Sequence, residues 1–197
     1  MTRITVLVSG GGTNLQALID AQREGTLHDG EISMVISSSP KAYALDRARQ
    51  AGIPGIVVEP GSYPTHSDFD ANLKSALDER RTDLVVLAGY ISILGPEVLG
   101  AYKNRILNVH PSLLPAFSGK GMYGLKVHEA AIERGVKITG ATVHLVNEVV
   151  DGGQIVLQKS VEVLPDDTPE VLQKRVMRDA EWYILPQAVA MFCRGEL

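Results

Sequence analysis

The clearest fold signal in the chain is Ile4-Thr5-Val6-Leu7-Val8-Ser9-Gly10-Gly11-Gly12-Thr13-Asn14. Its first five residues are almost wholly apolar, which is typical of a strand buried on both faces. Three glycines then allow a tight turn, and Leu15, Leu18 and Ile19 follow at helical spacing. A strand, a glycine-rich turn and a helix in this order predict the first unit of a parallel α/β sheet.

The same alternation of strand and helix continues along the chain. We predict strands at residues 32–36, 55–58, 84–88 and 106–107, helices at 42–51 and 67–81, and a turn-rich loop at 60–66. Residues 138–146 and 154–163 predict an antiparallel pair, and Thr168-Pro169 opens a helix that runs to about Arg194. The predicted fold is a mostly parallel, doubly wound (Rossmann-like) α/β sheet with a C-terminal antiparallel pair and a long C-terminal helix, in one domain over residues 1–197.

Composition excludes several classes of protein. With 197 residues and a formal net charge of −4 at pH 7, the chain is a poor candidate for binding nucleic acid. Cys193 is the only cysteine, and His110, His128 and His144 lack metal-type spacing, so we expect no disulfide framework and no metal. No apolar run is long enough for a bilayer, and no signal-peptide pattern precedes the first strand. We therefore expect a cytoplasmic protein without membrane contacts.

The segment Asn108-Val109-His110-Pro111-Ser112-Leu113-Leu114-Pro115 places two polar side chains at the predicted end of a strand. Being two residues apart in extended chain, Asn108 and His110 point to the same side. An amide that can stabilise an oxyanion and an imidazole that can move a proton suit acyl-type transfer. The alternative is an asparagine that caps the strand and a histidine that bonds the loop.

The glycine-rich turn predicts a phosphate site, because backbone amides and a helix N-terminus converge there. It is not a dinucleotide fingerprint, since Asn14-Leu15 replaces the third glycine, and no Gly-Lys-Ser/Thr follows as in a Walker loop. The alternative is a purely structural tight turn.

Three further polar side chains have structural interpretations that compete with functional ones. Asp151 lies in the loop between the two late strands, where a carboxylate beside His110 would favour the imidazolium and orient the ring, although Asp151-Gly152 is also an ordinary turn signal. His144 is expected to be a hydrogen-bonded core residue, and His128 a surface or packing residue. Glu181 is expected on a solvated helix face.

Several of these motifs occur together, in order, in one known family. The Gly-Gly-Gly-Thr-Asn-Leu loop, Leu87-Ala88-Gly89-Tyr90, the segment from Asn108 to Pro115, and Gly140-Ala141-Thr142-Val143-His144 followed by Asp151-Gly152-Gly153 resemble the folate-dependent phosphoribosylglycinamide formyltransferases of purine synthesis. The resemblance spans the whole chain. The block from Asn108 to Pro115 is shared by the wider group of formyltetrahydrofolate enzymes, whereas the glycine-rich loop is more specific.

The resemblance implies direct transfer of a formyl group from 10-formyltetrahydrofolate, a co-substrate, to the amine of glycinamide ribonucleotide. Asn108 would bond the oxyanion, His110 would assist as acid, and Asp151 would hold or tune His110. The amides of Gly12, Thr13 and Asn14 in the N-terminal part would hold the phosphate, and Glu181 would bind the polar part of this substrate. The remaining residues of the implied folate site are His66, Ile91, Ser92, Ile93, Leu94, Asn147, Glu148, Val149 and Val150, several of them in the C-terminal part.

Two positions depart from the family pattern, because Ser92 and His66 stand where arginine is often found. The first should matter little if the pterin binds backbone, whereas His66 puts a charged contact with the folate tail in doubt. The loop Ser118–Gly124 is given no role beyond shaping the site, and a monomer and a homodimer both stay open. Competing interpretations are a formyltetrahydrofolate hydrolase, a methionyl-tRNA formyltransferase and a non-catalytic nucleotide-binding module.

Overall fold

A seven-stranded sheet forms the centre of the molecule in a computed structural model that describes residues 1–197. Its strands are β1 (Thr2–Val8), β2 (Gly30–Ser37), β3 (Gly55–Val57), β4 (Leu84–Leu87), β5 (Ile106–His110), β6 (Ile138–Leu145) and β7 (Ile155–Glu162). The order across the sheet is β3-β2-β1-β4-β5-β6-β7. Strands β1 to β5 pair in parallel, whereas β6 and β7 join as antiparallel neighbours. The predicted fold class is confirmed.

Helices cover both faces of the sheet. They are α1 (Thr13–Arg23), α2 (Ala44–Gln50), α3 (His66–Glu79), α4 (Pro96–Ala101), α5 (Leu125–Arg134), α6 (Pro169–Val176) and α7 (Trp182–Cys193), with a 3-10 turn at Pro60–Ser62. Helix α4 was not predicted, because six residues are too few for a helical period to stand out. None of the helices combines the length and apolarity needed to cross a membrane.

The long C-terminal helix is present, but it contains a π-helical turn, Met177–Glu181, between α6 and α7. Thr168 caps its start as predicted, since its hydroxyl accepts the Val171 amide at 3.3 Å. A π turn adds a residue to the helical repeat and so rotates the side chains that follow it. The turn ends at Glu181, which places this residue on the side of the helix that faces α1.

The core consists of two layers, one on each face of the sheet. Val6 and Val86 belong to the layer with α1 and α7, whereas Leu7 and Val85 belong to the layer with α3 and α4. Successive residues of β1 and β4 thus point to opposite layers, as the period of a strand requires. All four residues of Leu84–Leu87 are buried, which confirms that β4 is central and covered on both faces.

The carboxyl ends of β1, β4 and β5 meet at one edge of the sheet. The chain order reverses between β1 and β4, and such a switch point opens a crevice where ligands bind in α/β proteins. Strand β5 reaches further than predicted, because Asn108 pairs with His144 and His110 with Thr142 of β6. Asn108 and His110 therefore lie within the strand, and the loop begins only at Pro111.

Candidate functional site

His110 is buried, with 4% of its surface exposed, and its ring is fixed by the loop that follows β5. Nε2 lies 2.8 Å from the carbonyl oxygen of Phe117, and because a carbonyl only accepts, Nε2–H donates. The other ring nitrogen, Nδ1, lies 3.6 Å from Oδ1 of Asp151. A proton gained or lost by this ring is therefore carried at Nδ1, on the side of the carboxylate.

Asp151 is the centre of a small polar cluster. Its side chain is 8% exposed, Oδ2 accepts the Gly119 amide at 2.9 Å, and Oδ1 lies 3.7 Å from Nε2 of His144. Burial alone would raise the pKa of Asp151, but the His144 ring in its protonated form, the Gly119 amide and the charge of His110 outweigh burial and hold that pKa below its ordinary value. The side chain is therefore a carboxylate at neutral pH. Its φ of 56° is rare outside glycine and fits a loop that turns the side chain inward.

Asn108 is oriented by the antiparallel neighbour of β5. Nδ1 of His144 donates to the Leu145 carbonyl at 2.9 Å, which leaves Nε2 of a neutral ring as an acceptor. The Asn108 amide Nδ2 lies 3.0 Å from that Nε2 and donates to it. An amide nitrogen carries two hydrogens, so one holds the side chain in place and the other can bond a developing oxyanion.

The structure adds to two expectations about the surroundings of this cluster. His144 is a hydrogen-bonded core residue, as predicted, but its partner is Asn108, so it belongs to the site. In the loop Ser118–Gly124, the amide of Gly119 also donates to Asp151, and Phe117, just before this loop, accepts from His110. If the register of β5 against β6 is known, His144 can be placed beside Asn108. The contacts of the loop with His110 and Asp151, by contrast, depend on tertiary packing.

The glycine-rich loop leaves several backbone amides free. Gly12 caps α1 with φ 71°, and the first helical bond runs from the Gln16 amide to the Gly12 carbonyl. The amides of Gly12, Thr13 and Asn14 donate to no protein atom. A Cβ at Gly12 would lie 2.6 Å from Cβ of Ala44, so only glycine lets α2 pack this closely against the loop. The loop thus presents free donors at a helix N-terminus, as an anion site requires.

Glu181 contacts this loop instead of lying on a solvated helix face. It is 5% exposed, and its Oε2 accepts from Nδ2 of Asn14 at 2.6 Å. Burial raises the pKa of Glu181 to about 7, and the Asn14 amide only partly offsets this rise. Oε1 has no protein partner. The solvated-face expectation was wrong, because the π turn directs this side chain toward α1.

Most of the implied folate residues fall on two loops that expose apolar side chains, whereas His66 begins α3 and Asn108 lies on β5. Ile91 and Ile93 are each 63% exposed after β4, and Val149 and Val150 are 64% and 50% exposed in the loop after β6. Leu94 is buried, Ser92 is half-buried, and Asn147 and Glu148 are exposed. Apolar side chains left in water beside polar clusters are typical of a surface that a flat, partly apolar ligand covers.

Comparisons with known proteins identify the family. The formyl transferase family model matches residues 2–189. The phosphoribosylglycinamide formyltransferase of Haemophilus influenzae is 42% identical over 197 residues, which are 100% of this chain and 90% of that protein. The chain belongs to the formyl transferase family.

Two further relatives extend this placement within the family. The crystal structure of glycinamide ribonucleotide transformylase 1 from Symbiobacterium toebii superimposes with a TM-score of 0.93 at 47% identity, covering 99% of this chain and 89% of that one. The trifunctional purine biosynthetic protein adenosine-3 of Drosophila melanogaster is 41% identical over 98% of this chain, and the chain spans only 14% of that longer protein.

Two buried or concave features of this formyl transferase lie outside the cluster around Asp151. His128 on α5 is fully buried, both its ring nitrogens lack partners, and burial, with a smaller effect from His110, lowers its pKa to about 4. His128 is therefore a packing residue, which is one of the two roles expected for it.

A cleft of about 780 Å³ between α1 and α7 reaches Thr13, but neither Asn108 nor Asp151 lines it.

Proposed function

We propose that this chain transfers the formyl group of 10-formyltetrahydrofolate to the amine of glycinamide ribonucleotide, a step of purine biosynthesis. The observation that carries the proposal is the cluster of the buried His110 with the half-buried Asn108 and Asp151 at the carboxyl end of the sheet, in a chain of the formyl transferase family. An amide donor, an imidazole and a carboxylate are the groups that acyl transfer to an amine needs.

In the proposed reaction, the amine of the nucleotide attacks the formyl carbon, and the carbonyl oxygen becomes an oxyanion. The free hydrogen of the Asn108 amide stabilises this oxyanion. The bond between the formyl carbon and N10 of the folate then breaks, N10 gains a proton, and the attacking nitrogen loses one. His110, protonated at Nδ1, supplies acid assistance, and Asp151 stabilises its imidazolium across 3.6 Å. The products are the formylated nucleotide and tetrahydrofolate.

The two substrates use different parts of the same edge in this proposal. The phosphate of glycinamide ribonucleotide binds the free amides of Gly12, Thr13 and Asn14, and Oε1 of Glu181 accepts from a polar group of this substrate. The pterin lies between the backbone of residues 91–94 and the loop that leads to Asp151. The exposed isoleucines and valines of those two segments support this placement, because a bound ring would remove them from water.

The decisive experiment incubates the protein with 10-formyltetrahydrofolate, with and without glycinamide ribonucleotide, and measures tetrahydrofolate and formylated nucleotide. Folate consumption that requires the nucleotide supports the transferase. Consumption without the nucleotide would identify a hydrolase, and no consumption under either condition would reject both enzymatic activities. Asp166→Asn, a change of an exposed aspartate in the loop before α6, serves as the matched control for variants of Asp151.

A further inference from the structure

The backbone between β4 and α4 is held at every second residue by three side chains, one that follows β1 and two from α3. The hydroxyl of Ser9, just after β1, accepts the Ile91 amide at 3.0 Å. Nε2–H of His66, the first residue of α3, donates to the Ile93 carbonyl at 3.0 Å. Oδ1 of Asp70, one turn further along α3, accepts the Gly95 amide at 2.8 Å.

This pattern leaves the peptide groups in between free. The amide and carbonyl groups of Ser92 and of Leu94 have no protein partner. A backbone that is fixed at alternate positions, with unpaired donors and acceptors between them, can bind an edge of a planar heterocycle without losing much conformational entropy. The pyrimidine part of a pterin carries adjacent amide-type donors and acceptors along one edge, so its chemistry matches these groups.

The three side chains have little freedom of their own. Ser9 also shares a hydrogen bond of 2.7 Å with the Ser38 hydroxyl, and the His66 ring packs on Phe69 with centroids 5.7 Å apart. Asp70 is 1% exposed, and its Oδ2 accepts the Glu97 amide at 2.8 Å, so the same carboxylate starts α4. These contacts make the segment a preorganised surface instead of a flexible loop.

We propose that Ser9, His66 and Asp70 are positioning residues that fix the backbone of residues 91–95 so that the peptide groups of Ser92 and Leu94 bind the pterin. This assignment rests on the proposed function, since it names what holds the folate site. It also gives His66 a role at a position where the family often has arginine: it bonds the loop backbone. Ser9 directly precedes the glycine-rich loop, so its hydroxyl joins the phosphate site to the folate site.

The test compares Ser9→Ala and His66→Ala with wild-type protein in steady-state kinetics for both substrates. Each variant should raise the KM for 10-formyltetrahydrofolate by about fivefold or more, while the KM for glycinamide ribonucleotide stays within about twofold and kcat within about threefold. His66→Gln keeps an N–H donor and should recover at least half of the loss on a logarithmic scale. Ser67→Ala removes an exposed hydroxyl beside His66 that makes no hydrogen bond to residues 91–95, and it should leave both KM values within about twofold.

Amide hydrogen exchange gives a readout without any substrate. The Ile91 amide should exchange faster in Ser9→Ala than in wild-type protein, because its acceptor is gone, whereas amides of β4 should keep their rates. An unchanged folate KM in a folded Ser9→Ala and His66→Ala would overturn the assignment, and so would equal rises in both KM values. A wild-type protein that consumes no folate would instead reject the proposed function, and the assignment with it.

Discussion

Asp151 and Glu181 are two carboxyl side chains that are largely shielded from solvent, yet their pKa values move in opposite directions. Burial raises the pKa of Glu181 to about 7, where the Asn14 amide is its only hydrogen-bond partner. Burial acts on Asp151 in the same direction, but two imidazoles and a backbone amide surround the carboxylate and lower its pKa. The depth of burial and the number and charge of the partners together decide the direction of each shift.

Because of this difference, the two carboxyl groups suit different functions at the carboxyl end of the sheet. A carboxylate that stays charged beside His110 can stabilise an imidazolium during proton transfer. A carboxyl that titrates near neutral pH beside the glycine-rich loop is suited to bonding a substrate, and its charge there costs stability. Variants of the Asp151 region should therefore change kcat, and variants of the loop beside Glu181 should change substrate affinity and stability.

The largest effect is expected for Asp151→Asn, which keeps the shape of the side chain and removes its charge. We expect kcat to fall by roughly 10²-fold or more, because His110 loses the charge that stabilises its imidazolium. Steady-state rates at saturating substrates measure this change, with Asp166→Asn as the control. A rate near that of wild-type protein would leave a plain turn residue as the better account of Asp151.

The double variant with His110→Ala sharpens this prediction. Residues that act as a unit are not additive, so the double variant should be little slower than the slower single variant. Losses that multiply in full would mean that the two side chains act independently.

The next largest effect concerns the stability of Glu181→Gln. The folded-state pKa of Glu181 is raised, so the wild-type protein loses stability as pH rises from the ordinary value of 4.5 toward 7, and the variant does not. Relative to wild-type protein, the variant should gain roughly 2 to 3 kcal/mol between about pH 5 and about pH 8. Urea unfolding at both pH values measures it, with Glu133→Gln on the exposed side of α5 as the control. Parallel curves for the variant and wild-type protein would contradict the raised pKa.

Gly12→Val tests the loop beside Glu181. Its side chain would collide with Ala44 and displace the free amides, so the KM for glycinamide ribonucleotide should rise at least about tenfold, or about 1.4 kcal/mol. Gly11→Ala is the matched control, because a Cβ there meets no atom within 4 Å, and its KM should stay within about threefold. An unchanged KM for glycinamide ribonucleotide in a folded Gly12→Val variant would show that this loop does not bind the phosphate.

The smallest effect is expected for His144→Gln. Gln can still bond the Asn108 amide but lacks the ring beside Asp151, so the pKa of Asp151 should rise toward its ordinary value. Carbon NMR of the Asp151 carboxyl measures this shift, and kcat should fall by no more than about tenfold. A pKa of Asp151 that does not move would assign its lowering to Gly119 and His110 alone.

Much of the fold could be predicted because its signals are local. The apolar run of β1, the glycines that follow it and the helical spacing after Asn14 predict a strand, a turn and a helix without knowledge of any neighbour. The cap at Thr168 is similarly local, since the hydroxyl and its amide partner are three residues apart. The short helix α4 depends on Asp70, a partner 27 residues before Glu97, and its start could not be found from a local pattern.

The order of residues along the chain is enough to predict which chemical groups are present and that Asn108 and His110 share one side of a strand. Their partners follow from tertiary contacts. The antiparallel register of β6 brings His144 to Asn108, a loop with a left-handed residue brings Asp151 to His110, and a π turn brings Glu181 to Asn14, 167 residues away in the chain. The physical reason is that burial and partner charges set a carboxyl pKa, and both depend on contacts between segments that no local pattern encodes.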